Sequence, residues 1–111
     1  MSDLLAQARA FLDEDPDPET SRELLAVLAR AQAGDATALA DLTDRFSGPL
    51  TFGTAGLRGK VEGGLARMNR VGVMKASHGL GEWLLSEAGL EAQRRGVVVG
   101  FDGRYSSRQF A

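Results

Sequence analysis

The sequence predicts an α/β chain, with a helical extension over residues 1–46 and a strand–helix–strand portion over residues 47–111. Three observations carry that reading. Apolar residues recur at helical spacing through the first 46 positions, a long helical pattern follows Asn69, and Val97-Val98-Val99-Gly100-Phe101 forms a continuous apolar run. Period 3.6 argues for amphipathic helices, and a short unbroken apolar run bounded by turn residues fits a strand buried on both faces.

Residues 2 to about 14 place Leu4, Leu5, Ala8, Phe11 and Leu12 on one helical face. The run Asp13-Glu14-Asp15-Pro16-Asp17-Pro18 breaks that helix. Asp17 then caps a second helix with Pro18 at its first position, where the missing N–H costs nothing. Leu24, Leu28 and Ala31 line one face of it, with Leu25 beside them. Gly34 stops the second helix, and Asp35 caps a third bearing Leu39, Leu42 and Phe46. A solvated acidic linker is the competing reading, and the i, i+3/i+4, i+7 recurrence of apolar residues argues against it.

Ser47-Gly48-Pro49 marks a boundary, and Leu50 to Gly53 read as a short strand. The glycine pair Gly63-Gly64 disfavours regular structure between Val61 and Arg67. Asn69 caps a long helix reaching about Ala88, with Val73, Ala76, Leu80 and Leu84 on one face and Trp83 beside it. Gly72, Gly79 and Gly81 each cost this helix about 1 kcal/mol relative to alanine, which suggests close approach to a neighbouring element. Gly89 ends it. Strand, helix and strand in this order suggest a βαβ-like unit.

The stretch Thr51-Phe-Gly-Thr-Ala-Gly-Leu-Arg-Gly-Lys60 carries the chemistry. Gly53, Gly56 and Gly59 allow backbone turns and close approach of a ligand, Thr54 lies between the first two, and Arg58 can grip phosphate with two parallel bonds. Amide groups in such a turn can converge on an anion. A tight turn with a solvated arginine is the plainer alternative. The spacing excludes a P-loop, because Thr54 and Val61 stand where Gly and Ser or Thr are needed. The dinucleotide fingerprint fails at Ala55, and fails again at Leu84 after Gly79-Leu80-Gly81. Asp102-Gly103-Arg104 sits at the carboxyl end of the second expected strand, where α/β sheets bind ligands. Alternatively, Asp102 and Arg104 pair with each other and hold the turn.

Composition removes several function classes. The chain has no cysteine and one histidine, His78, so thiolate catalysis, disulfides and Cys- or His-clustered zinc are excluded. Residues 1–46 hold ten acids against four bases, and residues 47–111 nine bases against five acids. That basic half lacks the density and aromatic interleaving of a nucleic-acid binder and suits a small phosphorylated substrate. No apolar run approaches bilayer length and no leader pattern opens the chain, so neither a membrane partner nor a destination other than the cytoplasm is expected.

Phe52-Gly53-Thr54-Ala55-Gly56-Leu57-Arg58-Gly59, then Ala66-Arg67-Met68-Asn69, then Val97 through Ser107 resemble, in order, segments of the phosphohexomutases, the family of phosphoglucomutase and phosphomannomutase. The similarity spans about Pro49 to Ala111. Ala55, where the family often has Ser, together with the N-terminal extension, is similar to the branch with phosphopentomutase-type and bisphosphate-synthesising members. The resemblance implies a mixed sheet and phosphotransfer between C1 and C6, or C1 and C5, of a sugar phosphate. That transfer would run through a phosphoserine and a sugar bisphosphate, with Mg²⁺ at the phosphoserine. It implies that Arg58 steadies the transferring phosphate and that Gly53, Thr54, Gly56 and Gly59 shape its loop. Arg104 is a weaker candidate for phosphate contact.

The family's Thr-Ala-Ser-His-Asn-Pro phosphoserine loop, Asp-x-Asp-x-Asp metal loop, Gly-Glu-x-Ser sugar segment and C-terminal phosphate loop have no counterpart here. Lys75-Ala76-Ser77-His78-Gly79 is faintly similar to the first, but it falls within helical periodicity and lacks Asn-Pro. The sequence therefore reads as the front of a longer mutase, inactive by itself, whose partners include the C-terminal domains of the same protein. A non-catalytic phosphate-binding module and a gene fragment without function are the alternatives.

Overall fold

The computed structural model describes residues 2–111, and these divide into two compact units, one ending at Gly72 and one spanning Val73–Ala111. The boundary falls inside a helix.

Three helices build most of the first unit: α1 Ser2–Glu14, α2 Pro18–Gln32 and α3 Ala36–Arg45. Their ends follow local chemistry. The Asp17 carboxylate accepts from the Glu19 amide at 3.0 Å, with Pro18 opening the helix. Asp35 accepts from the amides of Thr37 and Ala38 at 2.9 and 3.1 Å, satisfying donors that the helix leaves without partners. The apolar faces of the three helices close on one core made by Ala8, Phe11, Leu24, Val27, Leu28, Ala31, Ala38, Leu42 and Phe46, joined by Val71. Phe11 and Phe46 meet edge to face with ring centroids 6.0 Å apart. Leu25, beside the α2 stripe, stays exposed.

The segment 61–69 folds onto these helices without regular structure. Its two central glycines are required by contact. A Cβ on Gly63 would lie 2.9 Å from the Leu24 Cβ, and one on Gly64, whose φ is +129°, would lie 2.8 Å from the Arg45 Cβ. Asn69 is 1% exposed and precedes α4, Arg70–Ala88. Its Oδ1 accepts from the Gly72 amide at 3.0 Å, which caps the helix as its position predicts.

In the second unit α4 continues to Ala88, followed by α5, Leu90–Arg95, and α6, Ser107–Phe110. The α4 pattern ends at Gly89, as expected, with φ +54° and its amide on the Leu85 carbonyl at 2.9 Å. The short α5 is held by Glu91, which accepts from Arg94 and Arg95 one turn on. Gly79 and Gly81 have no heavy atom within 4 Å of an added Cβ. The close neighbour that those two glycines suggest is thus not found around them among the described residues.

The expected strands at Leu50–Gly53 and Val97–Phe101 do not form. Among the described residues pairing is confined to isolated bridges, Gly53 with Gly56 and Val61 with Met68. A strand exists only through a partner's N–H and C=O groups, and no described residue offers a ladder to Val97–Phe101. Its side chains accordingly face solvent, Val98 completely. No described helix is long and apolar enough to cross a membrane.

Candidate functional site

The glycine–arginine stretch forms a tight turn in the first unit. Gly53 donates its amide to the Gly56 carbonyl at 3.0 Å, and Gly56 donates back to Gly53 at 3.1 Å. Thr54 and Ala55 occupy the tip, and Gly56 takes φ +84°, a conformation a side chain would strain. The amides of Gly53 and Gly56 are therefore spent on each other. Those of Thr54, Ala55, Leu57, Arg58 and Gly59 donate to no group among the described residues. They are the donors this loop can present to an anion.

Gly59 is fixed by packing. A Cβ there would lie 3.1 Å from one Leu50 methyl carbon and 3.4 Å from the Met68 nitrogen. One residue on, the Lys60 carbonyl accepts the Met68 amide at 2.8 Å. Between these anchored points and the turn stands Arg58, solvent-exposed, with no carboxylate or hydrogen-bond partner among the described residues. An unpaired guanidinium beside unpaired amides can accept a phosphate without first breaking an ion pair.

Arg104 is placed differently. It lies in the second unit and closes a turn with Asp102, which accepts from the Arg104 amide at 3.0 Å and from Nε at 2.8 Å. Hydrogen bonds from that side chain and amide hold the Asp102 carboxyl well below its ordinary value, at about 2. Ser77 and His78 lie exposed on α4, with His78 Nε2 3.6 Å from Glu82 one turn on, as the helical reading expects.

Sequence reasoning missed the buried charge where segment 62–67 meets α2 and α3. Arg45 is 3% exposed and Arg67 7%. Arg45 reaches Glu23, Asp41, Glu62 and the Gly63 carbonyl. Arg67 reaches Glu62, Asp44 and the Ala66 carbonyl. Burial opposes charge on both guanidiniums, but hydrogen bonds to Glu23 and Asp41 for one, and to Asp44 and Glu62 for the other, leave both above the ordinary arginine value. The four carboxylates, Glu23, Asp41, Asp44 and Glu62, are all engaged by one or both of these arginines. Among the described residues no group of His, Cys, Asp or Glu could hold a metal ion, so the Mg²⁺ implied by resemblance finds no ligand set in them.

Residues 49–111 match the family model described as phosphoglucomutase/phosphomannomutase, alpha/beta/alpha domain I. Over 110 residues the chain is 32% identical to a phosphoribomutase of Saccharomyces cerevisiae, covering 99% of this chain and 16% of that protein. It is 39% identical over 100 residues to a probable phosphoribomutase of Schizosaccharomyces pombe, covering 90% and 16%. A phosphoglucomutase of Staphylococcus aureus is 37% identical over 68 residues, covering 61% and 12%. The chain thus spans about a sixth of the length of the first of these relatives. No solved structure matches it.

Proposed function

Because the chain belongs to the phosphoglucomutase/phosphomannomutase family, we propose that it supplies the phosphate-gripping front of a phosphosugar mutase. In such an enzyme a phosphoserine outside this chain transfers its phosphoryl group to a sugar monophosphate, giving a bisphosphate. The bisphosphate turns over and returns its other phosphate to the serine, so phosphate moves between C1 and C6 or between C1 and C5. Arg58 steadies the transferring phosphate, and Gly53, Thr54, Gly56 and Gly59 shape its loop. Positioning and charge stabilisation are the main catalytic contributions in phosphoryl transfer, and a preorganised guanidinium supplies both. Mg²⁺ would be bound by residues of the remaining domains. The mixed sheet would be completed by strands of those domains pairing with Val97–Phe101.

The observation that carries the reading is the unpaired, exposed Arg58 on a glycine-framed turn within the family-matched segment. A pentose phosphate is the favoured substrate, because the two yeast relatives aligned over 90% or more of the chain are named for ribose. The test is a full-length mutase carrying this segment, assayed with ribose 1-phosphate and glucose 1-phosphate. Turnover of either, lost in Arg58→Ala, supports the assignment, and preference for ribose 1-phosphate supports the pentose reading. Turnover indifferent to Arg58 would overturn the role given to it.

A further inference from the structure

We infer that the helical extension sets the position of the Arg58 loop, with Arg45 and Arg67 as positioning residues that clamp segment 62–67 to α2 and α3. The functional half of this inference rests on the reading of Arg58 as the residue that grips phosphate.

The path is continuous. Glu62 is shared, 3.4 Å from Arg45 Nη2 and 3.0 Å from Arg67 Nε. Its neighbour Gly63 donates its amide to Glu23 Oε1 of α2 at 3.1 Å and offers its carbonyl to Arg45 of α3 at 3.2 Å. The Ala66 amide donates to the Arg45 carbonyl at 2.8 Å. On the far side of the same segment, Glu62 N–H donates to the Met68 carbonyl at 3.3 Å and Met68 N–H donates to the Lys60 carbonyl. Met68 in turn lies against Gly59, the residue after Arg58. Asn69 seals the segment by donating to the Glu62 and Gly64 carbonyls at 2.9 and 2.7 Å.

Stability alone is a poor account of this arrangement. Well-packed apolar residues in place of buried ion pairs are often as stabilising or more so, whereas forked guanidinium bonds fix geometry. Glu62 also sits only four residues from Arg58, so a small displacement of segment 62–67 is passed directly to the loop.

The test uses this 111-residue chain and amide hydrogen exchange followed by NMR, in wild type, Asp44→Asn and Arg67→Met. Asp44 is 70% exposed at its side chain, so its variant takes the charge from one clamp contact while keeping the core. In Asp44→Asn, exchange at Met68 and Glu62 should rise about tenfold or more with Leu28 inside α2 unchanged within about twofold, and in Arg67→Met the rise at Met68 and Glu62 should exceed that at Leu28 about tenfold or more. The amide signals of Gly53, Gly56 and Gly59 should shift, and inorganic phosphate should protect Arg58 of Arg67→Met less well from phenylglyoxal than Arg58 of wild type. Unchanged Met68 exchange in both variants would overturn the inference, as would Met68 and Leu28 rising in equal proportion, the sign of general loosening. If inorganic phosphate fails to protect Arg58 even in wild type, the phosphate reading falls and the functional half of the inference with it. The exchange pattern still decides whether the clamp holds the loop.

Discussion

Arg45 grips Glu23 with both arms of its fork, Nη1 to Oε1 at 2.8 Å and Nη2 to Oε2 at 2.6 Å, although the two stand 22 positions apart. The contact joins α2 to α3 at the point where segment 61–69 folds onto them. Arg45→Met removes the charge that Glu23, Asp41 and Glu62 share. Removing one partner of a buried pair costs roughly 3–5 kcal/mol, and the partial exposure of these carboxylates puts the loss at the lower end, about 3 kcal/mol. Urea unfolding followed by helical circular dichroism should show it as a lower midpoint. A midpoint equal to wild type would mean that solvent had replaced the pair without loss.

Gly63 and Gly79 should respond oppositely to alanine. At Gly63 the new Cβ falls 2.9 Å from the Leu24 Cβ and 3.2 Å from the Thr20 carbonyl, so overpacking should cost about 1–3 kcal/mol. At Gly79, inside α4 with open space around it, alanine should stabilise the helix by up to about 1 kcal/mol. Thermal unfolding of the two variants gives the signs directly.

Arg58→Ala should leave the stability of this chain within about 0.5 kcal/mol of wild type, since the side chain is exposed and unpaired. In a full-length mutase the same change should lower kcat/KM by roughly 10²-fold or more, the usual result of deleting one preorganised donor. Arg58→Lys should recover only part, because an ammonium lacks the planar fork. Steady-state kinetics on both variants decide the point.

In a full-length mutase carrying this segment, Ser77→Ala should keep activity within a few-fold, because Ser77 is an exposed residue on a helix face rather than a loop nucleophile. Mass spectrometry should find no phosphate on Ser77. Phosphate there would move the nucleophile into this chain.

Asp102 supplies a pH signature for the second unit. Its folded carboxyl titrates at about 2 against an ordinary 3.8, chiefly through the Arg104 side-chain hydrogen bond. A depressed value means that the contact favours the turn above pH 3.8 and is lost as pH falls through about 2. The Asp102 carboxyl carbon, followed by NMR, should therefore titrate near 2 in wild type and near the ordinary value in Arg104→Ala.

What the sequence revealed was local. Asp17, Asp35 and Asn69 are legible as caps because each side chain serves an amide two or three residues on. The apolar stripe of α2 is legible for the same reason, since helical neighbours are sequence neighbours. Arg45 with Glu23, and Arg67 with Asp44, are not legible, because their distance in sequence carries no period and only the folded chain brings them together. Gly63-Gly64 gave a partial signal: the pair announced irregular backbone, but not that Leu24 and Arg45 press against it. The apolar run Val97–Phe101 has the pattern of a strand, yet pairing belongs to two segments at once and cannot be read from one. Around Arg58, the glycines mark a turn in the sequence, but not that Gly53 and Gly56 spend their amides on each other.

Every side chain of the first unit's core, from Ala8 to Val71, lies before Gly72. During synthesis at roughly 5–20 residues per second, the 25 residues separating Gly72 from Val97 take about 1–5 s to add. Helical units rich in local contacts fold in microseconds to milliseconds. The front of the polypeptide therefore closes on the ribosome well before the valine run leaves it. That run emerges only after the core of the first unit is complete.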